Sequence, residues 1–432
     1  MSAVPEELFL ALAAGGGGPA AAGQLVAAQA GKRLLLLRGV PETAGSAGHP
    51  RAAWAERAFT TLAELQEKAP DTVEKVVRYP TVGAWARRTL LVLMGRARGA
   101  ADPGELAALP AAAMIAAGLP GEIEVPVRDG AVVLPALGRA LVPGGKTALV
   151  RSDGTAAEVV AAGTRVRVPA DPSHDAPGWE ALRPLRAVHE GFEIGFLIDD
   201  HDPDRMPGAA VTGCRLAGPE VERWRASLTE AWEILVAHHR TTVAEVAALI
   251  TVLTPLVAAP GRQASGTPRH AFGNIGLSAP HDPLWFAETL AHEVQHTKLT
   301  ALLDLVPLTL PEDGSRYYAP WREDPRPAAG LLQGVYAHLG VTGFWRTQRE
   351  HEAGERALAA HGHFARWQEA THQAARTLAG SGRLTPAGRS FVAETERTLC
   401  AWSREPVPAA ALRRAQDAAD RHRAEWRLRN ED

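Results

Sequence analysis

Apolar residues recur at three- and four-residue spacing through Ala53–Leu65 and Val82–Leu93, and the first 118 residues read as helical. Gly15-Gly16-Gly17-Gly18 marks a break between the first helix and the next. It is no phosphate loop, because no Lys-Ser/Thr follows at the required spacing. From about Glu122 to Val168 the pattern changes to short apolar or alternating runs: Ile123–Val127, Ala131–Leu134, Thr147–Val150, Val159–Ala161 and Val166–Val168. Asp129-Gly130 and Asp153-Gly154 punctuate them as hairpin turns do. Pro169 to Arg186 reads as a connection, and His189–Leu197 as one more strand. Glu220–His239 is an amphipathic helix, Leu249–Ala258 is β-like, and His270–Ser278 reads as an edge-type strand. From Leu331 onward the chain is helical, with a turn at Gly380–Pro386. The expected organisation is a helical N-terminal region (1–118), a small β-rich section (119–190) and a region 191–432 that is mostly helical after 283. The fold class is α+β, mainly α.

The candidate chemistry lies on the helix expected over 283–305, in His292-Glu293-Val294-Gln295-His296, an HExxH motif. Residues i and i+4 share one helix face, so both imidazoles can point at one metal ion. Glu293 lies about 100° round the helix from His292, in reach of a metal-bound water or a supporting partner. Asp282-Pro283 supplies an N-cap and an N1 proline. A β-like stretch just upstream gives the strand-then-helix order of a zincin-like site, with a small upstream sheet and a helical C-terminal region. Lys298 departs from the usual apolar continuation.

Two ligands do not complete a site. His338, on a helix expected to begin near Ala328, is the candidate third donor. Asp304, Glu312, Asp313, Glu323 and Asp324 compete with it. Between motif and His338 runs Tyr317-Tyr318-Ala319-Pro320-Trp321-Arg322-Glu323-Asp324-Pro325-Arg326-Pro327, stiffened by three prolines. Its arginines and tyrosines suit a pocket for a carboxylate, which an arginine fork binds through two hydrogen bonds. The competing reading is a rigid surface loop whose arginines pair with Glu323 and Asp324. Asp199, Asp200, His201, Asp202 and Asp204 read as a solvated acidic turn, since the Gly and final Glu of a calcium loop are missing. His351-Glu352-Ala353-Gly354-Glu355 reads as part of a solvated helix. His361, His363 and His372 have packing or surface roles, and His270 is a remote candidate for the site.

Composition narrows the field. Net charge is -3 with no long basic run, which argues against nucleic acid as the partner. Five lysines stand beside many arginines, a mark of coding bias rather than of function. Cys214 and Cys400 lack CxxC spacing and build neither a zinc ribbon nor an iron–sulfur cluster. No apolar run approaches the roughly 20 residues of a membrane span. The first residues, Met1 to Glu7, lack the positive region of a secretory signal, so a cytoplasmic protein away from membranes is expected.

Three stretches resemble one family: Leu290–Leu305, Tyr318–Pro327 and Leu332–His338 are similar to the HEXXH-motif domain of peptide-modification gene clusters. The likeness covers roughly residues 190–425. Some relatives carry that domain behind a radical-SAM maturase; here no CxxxCxxC exists, so the chain looks like a stand-alone version. The resemblance implies a reused zincin-like scaffold holding iron(II), with 2-oxoglutarate as cosubstrate, that β-hydroxylates a ribosomally made precursor peptide. It implies His292, His296 and His338 as ligands. Arg326, or else Arg322, would hold the distal carboxylate of 2-oxoglutarate, with Tyr318 beside them.

Two enzymatic readings follow. As a hydroxylase, the site leaves open metal positions beside three protein ligands, Glu293 orients a ligand or water, and an edge strand holds the peptide by β-augmentation. As a zinc metallopeptidase, Glu293 is the general base. The extended HExxHxxGxxH pattern is absent, since Leu299 and Leu302 stand at its glycine and last histidine. A peptide-binding scaffold with a vestigial site is the third, non-enzymatic reading.

Overall fold

Six helices open the chain in the computed structural model, which describes residues 4–430. They are α1 (Glu6–Ala13), α2 (Gly18–Ser46), α3 (Ala52–Lys68), α4 (Pro70–Val77), α5 (Pro80–Leu93) and α6 (Ala108–Ala116). Residues 1–3, part of the segment expected to lack a secretory signal, lie outside the described residues. The glycine break falls between α1 and α2 as expected. Gly17 sits at φ 112°, and a Cβ there would lie 2.7 Å from that of Ala21, so the sharp reversal requires glycine. Prolines open α4 and α5, where a missing N–H costs nothing.

Seven strands follow: β1 (Pro120–Pro126), β2 (Ala131–Leu134), β3 (Gly138–Leu141), β4 (Thr147–Asp153), β5 (Ala157–Ala161), β6 (Thr164–Val168) and β7 (Trp179–Ala181). They form one antiparallel sheet ordered β1-β4-β5-β6 and another ordered β2-β3-β7. Val166 and Val168 face inward while Arg165 and Arg167 face out, the period-2 alternation of half-buried strands. The expected connection Pro169–Arg186 is partly strand. β7 is too short to show alternation, and its place is set by pairing with β3.

The rest of the chain adds β8 (Arg183–His189), β9 (Phe192–Ile198), α7 (Gly218–His238), α8 (Arg240–Leu249), β10 (Val252–Pro255), β11 (Ser265–Gly266) and β12 (Asn274–Leu277). The helices α9 (Pro283–Leu303), α10 (Ala328–Gln348), α11 (Gly354–Gly380), α12 (Pro386–Trp402) and α13 (Ala409–Asn430) complete it. The class is α+β, mainly α. A five-stranded sheet runs β11-β12-β10-β9-β8, with β10 parallel to both neighbours and β11 antiparallel at the edge. Two expectations change here. The stretch His270–Ser278 yields an interior strand, β12, and the edge belongs to β11. The polar Asn274 amide is buried there, paired with Thr254 Oγ1 and the Arg205 carbonyl. The expected boundary at 190 falls inside the β8–β9 hairpin, whose two strands share one ladder.

The apolar side chains form two cores. One gathers α1, the start of α2, the five-stranded sheet and helices α7 to α12. The other gathers the later turns of α2, helices α3 to α6 and the two small sheets. The aspartate cluster at 199–204, expected to be solvated, is buried between elements of both. Tyr79 donates to Asp199 (2.6 Å) and Thr81 to Asp202 (2.7 Å). Arg88 and Arg128 pair with Asp204, and Arg183 and Arg215 with Asp200. These partners are remote in sequence, so no local pattern announces them. No single helix among the described residues is long and apolar enough to cross a membrane.

Candidate metal centre

The start of α9 is as the sequence dictates: Asp282 accepts the Leu284 N–H (3.0 Å), and Pro283 occupies the first turn. Phe286, Leu290, Val294 and Leu302 bury its apolar faces. The remaining, half-buried face presents Glu288, His292 and His296 at successive turns. The ring centres of His292 and His296 are 4.9 Å apart.

Helix α10 begins at Ala328, where the sequence placed it, and crosses closely against α9. Gly340 permits the crossing. A Cβ there would lie 2.5 Å from Gln295 Cγ and 2.8 Å from the Ala291 carbonyl oxygen. Half a turn earlier, His338 brings its ring centre to 5.2 Å from that of His292. The His338 ring stacks on Trp321 (4.2 Å, 15°) and leans on Trp367 (4.8 Å). Trp321 reaches it because Gly334 has no side chain; a Cβ would come within 2.4 Å of the indole nitrogen.

Hydrogen bonds set the tautomers. His338 Nδ1–H donates to the Gly334 carbonyl (2.9 Å), and His296 Nδ1–H to Gln333 Oε1 (3.0 Å). Each ring is left with Nε2 as a lone-pair donor, the support that metal-ligating histidines ordinarily receive. His292 forms no hydrogen bond to the described residues, and its Nε2 is 3.9 Å from Glu293 Oε1. Burial pushes the His292 pKa down to about 4, opposed by Glu293 and reinforced by His296. Burial, then the charge of His292, pushes His338 well below the usual histidine range. Both rings are neutral at pH 7, the form that ligates.

Three imidazoles ligating one ion at about 2.1 Å place neighbouring ring centres roughly 5 Å apart, close to the spacing found here. Their nitrogens do not yet share a focus. Among the described residues, no three His, Cys, Asp or Glu side chains stand as a metal-holding group. Two of the three rings are pinned by hydrogen bonds through Nδ1, and His292 is not. The donor set fits an ion that takes imidazole and keeps further positions for other ligands. The competing carboxylates are otherwise engaged. Asp304 pairs with Lys32 and Arg269, Glu312 with Arg316, and Asp313 with Arg383; Glu323 pairs with Arg262 and Arg429.

Glu293 is buried, and its Oε2 accepts a hydrogen bond from Thr267 (2.7 Å), the residue after edge strand β11. The arginine segment is closed by paired backbone bonds between Tyr317 and Arg326. Arg322 (2.9 Å) and Arg326 (3.0 Å) both hold Asp324. Tyr318 turns toward α13, where its hydroxyl meets His422 Nδ1 (2.9 Å). His270 sits against α2 and α5, beside Arg33 and Arg87, away from the three histidines. His351, expected on a solvated helix, lies in the turn between α10 and α11 and stacks on His238 (3.6 Å). His363 stacks on Trp345, whose indole N–H donates to Glu288 (2.9 Å).

Sequence reasoning missed Thr267, Gln333, Trp321, Trp367 and Glu288. Glu288 carried a signal, since it stands one turn before His292 on the same face, and burial raises its pKa to about 7. The others reach the site from separate elements, and spacing along the chain does not show them. In comparison with known proteins, the chain matches no family model and no curated sequence.

Proposed function

We propose that the protein is an iron(II)/2-oxoglutarate-dependent peptide β-hydroxylase acting on a ribosomally made precursor peptide in the cytoplasm. The observation that carries the proposal is His338, delivered by a second helix to 5.2 Å from His292 with its Nδ1 already engaged. His292, His296 and His338 would hold the metal. When bound, iron(II) with 2-oxoglutarate and oxygen supplies the oxidation that converts a C–H bond to C–OH, releasing succinate and carbon dioxide. The chain's own residues do the positioning. Trp321 and Gln333 fix two of the rings. Glu293, tethered by Thr267, braces the junction between α9 and β11. The short edge strand β11 offers an extended peptide a backbone ladder beside the metal helix. In the role expected of Arg326 or Arg322, with Tyr318, the distal carboxylate of 2-oxoglutarate would have to displace Asp324.

The zinc metallopeptidase reading keeps one specific support: a carboxylate, Glu293, standing 3.9 Å from the first histidine. Against it, the other oxygen of that carboxylate is tied to Thr267 and the side chain is buried, which suits a brace better than a mobile base.

The test is anaerobic purification followed by iron(II), 2-oxoglutarate, oxygen and a candidate precursor peptide. Succinate and a peptide heavier by one oxygen atom are expected. Peptide cleavage with zinc and without 2-oxoglutarate would reverse the order of the two readings. His338→Ala should lower the bound iron(II) of the purified chain at least tenfold, read by elemental analysis. Full metal occupancy in that variant would remove the carrying observation.

A further inference from the structure

A cleft of about 570 Å³, its open mouth included, lies between α5, the start of α6, strands β1 and β2 and the 202–204 loop. None of the three candidate metal histidines lines it. Val82, Trp85, Leu109, Pro126 and Val133 give it apolar walls, and Glu105, Arg128, Asp202 and Asp204 supply its charged groups. An apolar hollow with a few converging polar groups is the usual form of a small-ligand site.

The charges do not balance. Asp204 holds Arg88 through Nε and Nη2 (3.1 Å each) and Arg128 through Nη1 (2.9 Å). Glu105 is left with the same Arg128 nitrogen at 3.8 Å, beyond hydrogen-bond distance. Asp202 is buried, and its carboxylate accepts from the Thr81 hydroxyl (2.7 Å) and the Asp204 N–H (2.8 Å), neither of them a cation. Asp102, whose charge also acts on Glu105, is paired with Arg51. Three carboxylates thus share two guanidiniums. Burial raises the pKa of Glu105, and burial with the charge of Asp199 raises that of Asp202 to about 7. Such a surplus is met by a proton or by a cation from outside. The wall adds one neutral group: the indole N–H of Trp85 is buried and has no acceptor among the described residues. A carbonyl oxygen would satisfy it.

We propose that this cleft binds the first residue of a peptide. Its α-ammonium pairs with Glu105 in the field of Asp202, its carbonyl oxygen accepts from Trp85, and an apolar side chain lies against Val82, Leu109 and Val133. The following residues leave through the open mouth. An anionic ligand would meet the carboxylate surplus, and a cation without an apolar body would leave the walls uncovered. The site needs no metal, so it stands apart from the hydroxylase proposal.

Titration calorimetry of the full-length, metal-free protein at low salt and near-neutral pH tests it. The probes are leucylglycylglycinamide, its N-acetyl derivative and triglycinamide. The first is expected to bind. The other two, which lack the charge and the side chain respectively, should bind at least tenfold more weakly. Glu105→Gln should lower affinity for the free peptide at least tenfold and leave the acetylated one no weaker, so that the two converge. Ala108→Phe fills the cleft from the first residue of α6 and should abolish binding with no change of charge. Trp85→Phe, which keeps an aromatic wall but loses the N–H, should weaken the free peptide at least threefold. Thermal unfolding checks that each variant folds; should Ala108→Phe fail, Glu105→Gln carries the comparison.

No binding of the free peptide, equal binding of the free and acetylated peptides, or unchanged affinity in folded Glu105→Gln or Ala108→Phe overturns the site. The two proposals fail separately. Glu105-dependent peptide binding without succinate formation keeps this site and removes the hydroxylase. Succinate formation without any such binding does the reverse.

Discussion

A single side chain here can change its chemistry through its surroundings alone. His239 is buried against Phe344 (4.4 Å), with Nε2 on Gln348 (3.1 Å), and burial pushes its pKa down to about 4. The folded value lies below the unfolded one of about 6.5, so between those pH values the unfolded chain binds more protons. Its contribution is therefore intact above pH 6.5 and is lost as pH falls toward 4. Between pH 7 and pH 5 this one group should cost about 2 kcal/mol of stability. His239→Gln cannot take up a proton in that range and should flatten the dependence by that amount, read as urea-unfolding midpoints at the two pH values. An identical pH slope in the variant would assign the acid sensitivity to other histidines.

Between elements, the close passage of α10 over α9 decides whether the third imidazole arrives. Gly340 makes the passage possible, two residues from His338. Gly340→Ala should cost about 1–3 kcal/mol by overpacking and push α10 outward. The bound metal should then fall even in the folded variant, measured by elemental analysis beside a circular-dichroism melt. Unchanged metal content would show that the crossing has slack to spare. Behind the same helix, Lys298 donates to the carbonyls of Gly15 and Gly16 (3.0 Å each) and to Glu245 Oε2 (2.7 Å). The sequence marked Lys298 only as a departure from an apolar pattern; the fold makes it the buried tie between α9, α8 and the glycine turn. Lys298→Met leaves Glu245 buried without its cation and should cost about 3–5 kcal/mol in chemical denaturation. The double change with Glu245→Leu should recover much of that, since replacing a whole buried pair is far cheaper than breaking it.

Across the whole molecule, α2 contributes to both apolar cores, and the aspartates at 199–204 are held by Tyr79, Thr81, Arg88 and Arg128 from the other side. Two cores sharing a helix and a buried polar knot should melt together, so scanning calorimetry is expected to give one transition. Tyr79→Phe strips a charged acceptor, Asp199, of a donor and should cost about 2 kcal/mol without splitting that transition. Two separated peaks in the wild type would mean that the knot couples the cores only weakly.

The sequence by itself determined the helical opening, the hairpin section, the capped motif helix starting at Pro283 and the helix starting at Ala328. Each is written in local periods, caps and turns that act over a few residues. It also named His292, His296 and His338, because two of them share a helical face and the third stands on a helix of its own. Only the tertiary structure decided that His338 meets His292, that the aspartates are buried, that β12 is interior, and that Arg322 and Arg326 share Asp324. These facts depend on which distant elements touch, and on small residues such as Gly334 and Gly340 that let them. Contacts between segments tens or hundreds of residues apart leave no period along the chain.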